Sequence, residues 1–293
     1  MVLPLPEING LCVDQCAGRL FAAAGDASAY EWDLRSMSLV RRYEGGHQDY
    51  LHCLQCVPEA SPGPMASTLT TGSEDGTVGV WDRRAAGGPA DVLRPMQAMA
   101  ELFQQQQQQK QQAERPEGDK GSAAAVAAAV GGERLRVQGM LVDSMGQFLA
   151  CGGGAERVFK GQGHGACSGD RAAAAATPAQ GWLGLWHLPS RTLTSARTLR
   201  SEVQCMTEDV EGGFMTGDGQ GEVAQWRWGK LRPSGTGLRA ASESVYAVAV
   251  STGDDGDGTG GGSNRGVMAT AGLGQYVDLQ ALAGGPPITL RFV

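Results

Sequence analysis

Residues 71–84 read TGSEDGTVGVWDRR, and this stretch constrains the fold more than any other part of the chain. The Gly-Ser-Glu-Asp-Gly cluster is typical of a tight turn, because glycine adopts positive φ and aspartate accepts hydrogen bonds from nearby backbone amides. The Thr-Val-Gly-Val run that follows has the period of two expected of a strand. The stretch therefore predicts a turn that leads into a strand ending at Trp81-Asp82.

The same pattern recurs along the chain, which makes it a structural repeat. In each unit an apolar strand, a glycine-rich turn and a second strand precede a closing dipeptide that is Trp-Asp or similar to it. The four further closing dipeptides are Trp32-Asp33, Trp186-His187, Trp226-Arg227 and Val277-Asp278. Each unit also begins with a short apolar run: INGLCV, YLHCLQCV, RVQGMLV, VQCMTE and VYAVAV.

Three low-complexity segments interrupt these units, at 87–133, 155–180 and 252–266. Their Gln-, Ala- and Gly-rich compositions offer too little apolar surface to offset chain entropy, so we expect disordered inserts in loops. Without them each unit is about 40 residues long, which is the length of a WD-repeat propeller blade. The sequence therefore predicts an all-β WD-repeat β-propeller, one domain over residues 1–293 with five visible blade units.

The charge, hydropathy and cysteine content of the chain disfavour several classes of function. The chain has 24 Lys and Arg against 31 Asp and Glu, a net charge of −7, which disfavours direct binding to nucleic-acid phosphates. No apolar stretch reaches the length of a membrane span, and the first ten residues do not resemble a signal peptide, so we expect a cytosolic or nuclear protein.

The seven cysteines include one CxxC pair, Cys53 and Cys56, without a partner pair for zinc. We expect reduced structural thiols, no metal and no cofactor.

One set of polar residues could be mistaken for a catalytic site. WD-repeat proteins connect a histidine, a Ser or Thr and an aspartate to the blade tryptophan, and His47, Thr71, Asp75 and Trp81 match that pattern here. No nucleophile accompanies His47 and Asp75, and no histidine of the chain has the spacing of a metal site or a Ser-His-Asp triad. We therefore interpret the network as structural and expect a protein that is not an enzyme.

Several segments together are more specific than a general WD repeat. These segments are PEINGLCV, GGHQDYLHCL, TGSEDGTVGVWDRR, LACGGG with GWLGLWHL, and MATAGLGQYVDLQ. In this order they resemble the THO complex subunit 6 family. The resemblance implies a nuclear scaffold subunit of the transcription-export assembly, which supports messenger-RNA processing and export through protein partners and reaches RNA only indirectly.

The resemblance also implies more blades than the five that the sequence shows. Members of that family are seven-bladed propellers, and the first unit here resembles the third blade. One hypothesis is that two blades precede the first unit. The other is a five-bladed closure in which ITLRFV, residues 288–293, supplies a last strand.

A second function is suggested by two W-D-x-R motifs. They comprise Trp32, Asp33 and Arg35 in the first unit, and Trp81, Asp82 and Arg84 in the second. In substrate receptors of cullin-4 ubiquitin ligases this motif docks the propeller on the ligase adaptor, and plant members of the THO subunit 6 family resemble such receptors. Arg35, Arg84, Tyr50 and Trp182 are the residues that we expect to be exposed for partner contacts.

Overall fold

The five repeat units form five small antiparallel sheets, the blades of a β-propeller, which confirms the predicted fold. The computed structural model describes residues 6–113, 133–157, 180–209, 212–233, 238–251, 266–274, 276–282 and 286–291. Within those ranges the regular elements are strands and one helix.

Chain order and spatial order coincide for the four main strands of each blade, because each of these strands pairs with the next one along the chain. The first sheet contains β1 (Ile8–Asp14), β2 (Arg19–Ala24), β3 (Ala29–Asp33) and β4 (Ser38–Tyr43). The second contains β5 (Leu51–Cys56), β6 (Thr68–Ser73), β7 (Val78–Asp82) and β8 (Asp91–Leu93). The helix α1 (Pro95–Ala113) follows the second sheet.

The remaining sheets repeat this order, with two extra short strands. The third contains β9 (Glu133–Leu135), β10 (Gly139–Val142), β11 (Phe148–Arg157), β12 (Gln180–His187) and β13 (Thr192–Leu199), with β9 paired to β11. The fourth contains β14 (Val203–Glu208), β15 (Gly213–Asp218), β16 (Glu222–Arg227), β17 (Lys230–Pro233) and β18 (Leu238–Arg239), with β18 paired to β16. The fifth contains β19 (Val245–Ser251), β20 (Val267–Gly272), β21 (Tyr276–Ala281) and β22 (Ile288–Arg291).

The core lies between neighbouring blades, where the inner strands pack side by side. Strand β1 packs on β5, β5 on β10, β10 on β14, and β14 on β19. The junction of the first two blades buries the large side chains Phe21, Tyr43, Leu51, Leu54, Leu69 and Trp81. Burial of a large apolar side chain stabilises a fold by about 1.5–3 kcal/mol. These junctions are therefore a main source of stability.

The turn that opens the repeat has the backbone that its sequence predicts. Gly76 has a φ of +81°, and a Cβ at this position would collide with the carbonyl oxygen of Leu135 in the third blade. The equivalent position of the first blade, by the register of β2 with β3, is Ala27, whose φ is +61°. An alanine therefore adopts the left-handed conformation there, at an energetic cost that glycine avoids.

Four of the five closing dipeptides occupy equivalent places in their sheets. Trp32, Trp81, Trp186 and Trp226 each pair with the second residue of the strand before. In the fifth sheet Val277 pairs with Ala271, as Val78 pairs with Gly72 in the second sheet. Val277 thus corresponds to Val78 and not to Trp81, so the predicted closing position was wrong by three residues. Gln280 therefore occupies the tryptophan position there.

The first low-complexity segment differs from the prediction in its described part. Residues 91–93 complete the second blade as β8, and residues 95–113 form α1. Met99 is buried and Phe103 packs on the same apolar cluster, so the helix has one apolar side ahead of its glutamine run. Pro95 at the first helical position and the many glutamines favour a helix. Residues 155–157 and 180 belong to β11 and β12, and nearly all of the other two segments lies outside the described residues.

The described part of ITLRFV is the outer strand of the fifth blade. Strand β22 pairs with β21, so it completes its own sheet. Residues 292 and 293 lie outside the described ranges. Among the described helices, none has the length and apolarity that a membrane crossing requires.

Candidate functional site

The predicted network of the second blade is assembled in the structure, with one additional member. His47 precedes β5, Thr71 lies in β6 and Trp81 in β7, and their side chains meet inside the sheet. The indole Nε1 of Trp81 donates to Thr71 Oγ1 over 2.9 Å, and His47 Nε2 lies 2.7 Å from the same oxygen. Thr77, which the sequence did not single out, bridges His47 and Asp75.

These contacts form one continuous chain of hydrogen bonds. Thr77 Oγ1 donates to Asp75 Oδ1 over 2.6 Å, so it accepts from His47 Nδ1 over 3.0 Å. In neutral His47 this leaves Nε2 as the acceptor for the Thr71 hydroxyl, which in turn accepts from Trp81. Both ring nitrogens of His47, both threonine hydroxyls and the indole N–H are thereby hydrogen-bonded.

Asp75 is the charged end of the chain. Burial disfavours its ionised form, but hydrogen bonds from His47, from Thr77 and from the backbone amide of Gln48 outweigh burial and hold the pKa of Asp75 well below its ordinary value. The side chain of His47 is fully buried. Both ring nitrogens of His47 are therefore engaged and none of its side-chain surface is exposed, an arrangement that fits the structural interpretation of this network.

Other blades keep only parts of this network. In the fourth blade Trp226 Nε1 donates to Thr216 Oγ1 over 2.9 Å, at the position equivalent to Thr71. In the third blade Cys151 occupies that position, and burial raises the pKa of its thiol to about 12. Within the described ranges the full chain from tryptophan to aspartate is thus particular to the second blade.

The two W-D-x-R motifs lie in equivalent turns of adjacent blades, on the same face of the propeller. In the first, Asp33 Oδ1 accepts from the backbone amide of Arg35, and the Arg35 side chain is exposed. In the second, Asp82 accepts from Arg84 Nε over 2.9 Å and from Arg84 Nη2 over 3.0 Å. The Arg84 side chain is 63% exposed, so it reaches solvent despite this contact.

A groove runs beside the second motif. It has a volume of about 670 Å³ and is lined by Arg41, Arg42, Glu44 and the turn residues 84–88. Arg41 donates to the carbonyl oxygens of Arg83 and Gly87, and this contact ties the outer strand of the first blade to that turn. The turn of the second motif is therefore hydrogen-bonded to the first blade.

The opposite face carries a polar chain that crosses three blades and that the sequence did not predict. His52 Nε2 lies 2.7 Å from Glu74 Oε2 within the second blade. Arg136 of the third blade lies 3.8 Å from Glu74 and 3.2 Å from Glu202, which precedes the fourth blade. Gln204 donates to Glu202 over 2.6 Å. Glu74, Arg136 and Glu202 are far apart in sequence, so only the packing of the blades could bring them together.

Of the two aromatic residues expected at the surface, Tyr50 is exposed and Trp182 is buried. Tyr50 is 53% exposed. Trp182 is 2% exposed, so that expectation was wrong. In β12 it pairs with Gly153, its Nε1 donates to the carbonyl oxygen of Arg136, and its indole packs in an apolar cluster of the second and third blades.

The two cysteines of the CxxC pair, Cys53 and Cys56, contact different blades. Cys53 Sγ donates to the carbonyl oxygen of Val137 in the next blade, whereas Cys56 Sγ lies 2.9 Å from Cys12 Sγ in the previous one. Cys16 is exposed. Across the described ranges, no three His, Cys, Asp or Glu side chains come close enough together to hold a metal ion.

Comparison with known proteins connects this chain to one group. No family model matches it. It is 47% identical over 79 residues to the Arabidopsis thaliana THO complex subunit 6, a stretch that covers 27% of this chain and 20% of the plant protein. It is 38% identical over 84 residues to THO complex subunit 6 of Homo sapiens and to its Mus musculus homolog, covering 29% of this chain and 23% of each relative. The matches thus span less than a quarter of these relatives. They nevertheless confirm the resemblance of this chain to the THO complex subunit 6 family.

Proposed function

We propose that this protein is a non-catalytic, nuclear scaffold subunit of the THO assembly and supports messenger-RNA processing and export through protein contacts. The observation that carries the proposal is the similarity to THO complex subunit 6 of both a plant and mammals. The predicted partners are the other THO subunits and export factors.

The physical character of the chain supports a role in binding proteins. A propeller presents wide faces made of turns, and turns tolerate sequence change without loss of the sheets beneath them. The net charge of −7 disfavours a direct grip on RNA phosphates. RNA would therefore be reached through partner subunits.

A second candidate function is that of a substrate receptor docked on a cullin-4 ligase adaptor. Its support is the geometry of the two W-D-x-R turns, which lie on one face of adjacent blades with Arg35 and Arg84 both exposed. The contact of Arg84 with Asp82 weighs against it, since docking through Arg84 would have to share or replace that contact.

One purification experiment tests both candidates. The tagged protein is purified from its native cells beside the double variant Arg35→Ala, Arg84→Ala, and the proteins that co-purify are identified by mass spectrometry. The scaffold proposal predicts THO subunits with both forms. The ligase proposal would replace the scaffold proposal if the wild type recovered the cullin-4 adaptor without THO subunits and the double variant did not recover the adaptor.

The variants must stay folded for this comparison to be valid. Arg35 and Arg84 are exposed, and substitutions at such surface positions usually change stability by within about 0.5 kcal/mol. Thermal unfolding of both forms checks this point. Absence of THO subunits from the folded wild-type purification would contradict the scaffold proposal.

A further inference from the structure

Two thiols from neighbouring blades face each other at the first junction of the propeller. Cys12 lies in β1 and Cys56 in β5, 44 positions later, and their sulfur atoms are 2.9 Å apart. A disulfide bond is about 2.05 Å long, so a shift of about 0.9 Å would bring the sulfurs to bonding distance. Both residues are only partly buried, which leaves the pair within reach of a small oxidant.

A buried ion pair fixes the two strands beside this pair. Asp14 Oδ2 accepts from Arg83 Nη1 over 2.8 Å and from the backbone amide of Glu59 over 3.1 Å. The Asp14 side chain is fully buried and that of Arg83 is 7% exposed. Asp14, the last residue of β1, is thus tied to Glu59, which lies three residues beyond the end of β5 at Cys56.

The two thiols are chemically unequal. A hydrogen bond from Cys56 lowers the pKa of Cys12, against the opposing effects of burial and of the Asp14 charge, while the Arg83 charge acts in the same direction as the hydrogen bond. The same hydrogen bond, together with burial, raises the pKa of Cys56. Cys12 is therefore suited to be the attacking thiolate, since the thiolate is the reactive form of cysteine.

The other inner-strand cysteines provide a contrast within the same fold. Cys53 and Cys205 occupy equivalent positions in their blades, and each Sγ donates to the carbonyl oxygen of a valine in the next blade, over 3.7 Å. Burial raises the pKa of Cys205 to about 12 and also raises that of Cys53. Such thiols pack as small apolar groups and are unreactive.

We propose that Cys12 and Cys56 form a peroxide-sensitive site whose oxidation creates a reversible disulfide between the first two blades. The Cys12 thiolate attacks one oxygen of hydrogen peroxide, the O–O bond breaks, and water and a Cys12 sulfenic acid result. The Cys56 sulfur then attacks the Cys12 sulfur and a second water leaves. The two thiols lose two electrons and two protons, one peroxide takes up both, and two waters are formed.

The site can be tested on the purified full-length chain. The reduced protein is treated with hydrogen peroxide, free thiols are blocked with iodoacetamide, and peptides are identified by mass spectrometry with and without dithiothreitol. Cleavage before Asp14 separates Cys12 from Cys16, and peptide fragmentation separates Cys53 from Cys56. We expect a cross-link between Cys12 and Cys56 that dithiothreitol removes.

Two variants make the test specific. Cys16→Ser changes an exposed cysteine four positions from Cys12 and should leave the cross-link intact, whereas Cys12→Ser should abolish it. The disulfide should raise the melting temperature of the wild type by about 5 °C, because it closes a long loop of the unfolded chain. Dithiothreitol should reverse the rise.

One result on the wild type alone would overturn the proposal. If peroxide fully oxidises Cys16 while Cys12 and Cys56 stay as separate thiols or become sulfinic acids, the pair does not form a disulfide. This readout needs no substituted protein, so misfolding of a variant would not obscure it.

Discussion

The indole nitrogen of Trp81 donates to the hydroxyl of Thr71 over 2.9 Å, and Trp226 makes the same contact with Thr216 two blades further on. The two threonines differ in what else they hold. Thr71 also contacts His47 Nε2, over 2.7 Å. One buried hydroxyl in the second blade therefore satisfies two neighbours.

Thr71→Val should consequently destabilise the protein more than Thr216→Val. Valine fills the same space without a hydroxyl, and a buried polar group left without its partner costs about 1–3 kcal/mol. We expect about 3 kcal/mol for Thr71→Val and about half of that for Thr216→Val, from urea unfolding monitored by tryptophan fluorescence. An equal cost at both positions would show that His47 does not depend on Thr71.

Asp75 should make the stability of the protein depend on acid pH. Its pKa is depressed in the folded state, so on acidification the unfolded chain binds the proton first, near pH 4. The stabilisation is present at neutral pH and is lost as pH falls from about 5 towards 2.

The control for this effect is Asp75→Asn, which keeps the size of the side chain without its charge. The difference in free energy of unfolding between wild type and variant should be about 1–3 kcal/mol at pH 7. It should shrink steadily in urea unfolding series recorded at lower pH. A difference that stays constant down to pH 3 would contradict the role of the carboxylate charge.

Arg83 and Arg84 are adjacent in sequence but should respond very differently to substitution. Arg83→Ala leaves the buried Asp14 carboxylate without its partner, and breaking a buried pair costs about 3–5 kcal/mol. Arg84→Ala removes an exposed contact, for which we expect less than about 1 kcal/mol. Chemical unfolding of both variants measures the contrast, and similar values for the two would refute it.

Ala27→Gly should stabilise the protein. The φ of Ala27 is +61°, a conformation that costs an L-residue about 1–2 kcal/mol. Glycine also makes the unfolded chain more flexible, so the net gain should be about 0.5 kcal/mol. A rise in melting temperature by calorimetry would agree, whereas Ser28→Gly, one position later, should lower it because Ser28 Oγ accepts from Arg42.

Local sequence determined the blades. Turn residues such as Gly76, and a tryptophan near the end of the third strand such as Trp81, act within one unit, because their conformations and hydrogen bonds involve neighbours up to about ten residues away. The repeat could therefore be read from the chain, and four of its five closing positions agree with the sheet registers. In the fifth blade no tryptophan marks the place, and the Val277-Asp278 pair was a false match.

Contacts between blades were decided only by the tertiary structure. The pairing of Cys12 with Cys56, the ion pair of Asp14 with Arg83 and the burial of Trp182 all depend on which inner strands lie side by side. The physical reason is that turn and strand patterns specify a blade through short-range interactions, whereas the partner of an inward-facing side chain depends on the packing of residues distant in sequence. The sequence by itself determined the repeated unit and its fold, and the packing of one unit on the next decided which of its polar groups and thiols meet.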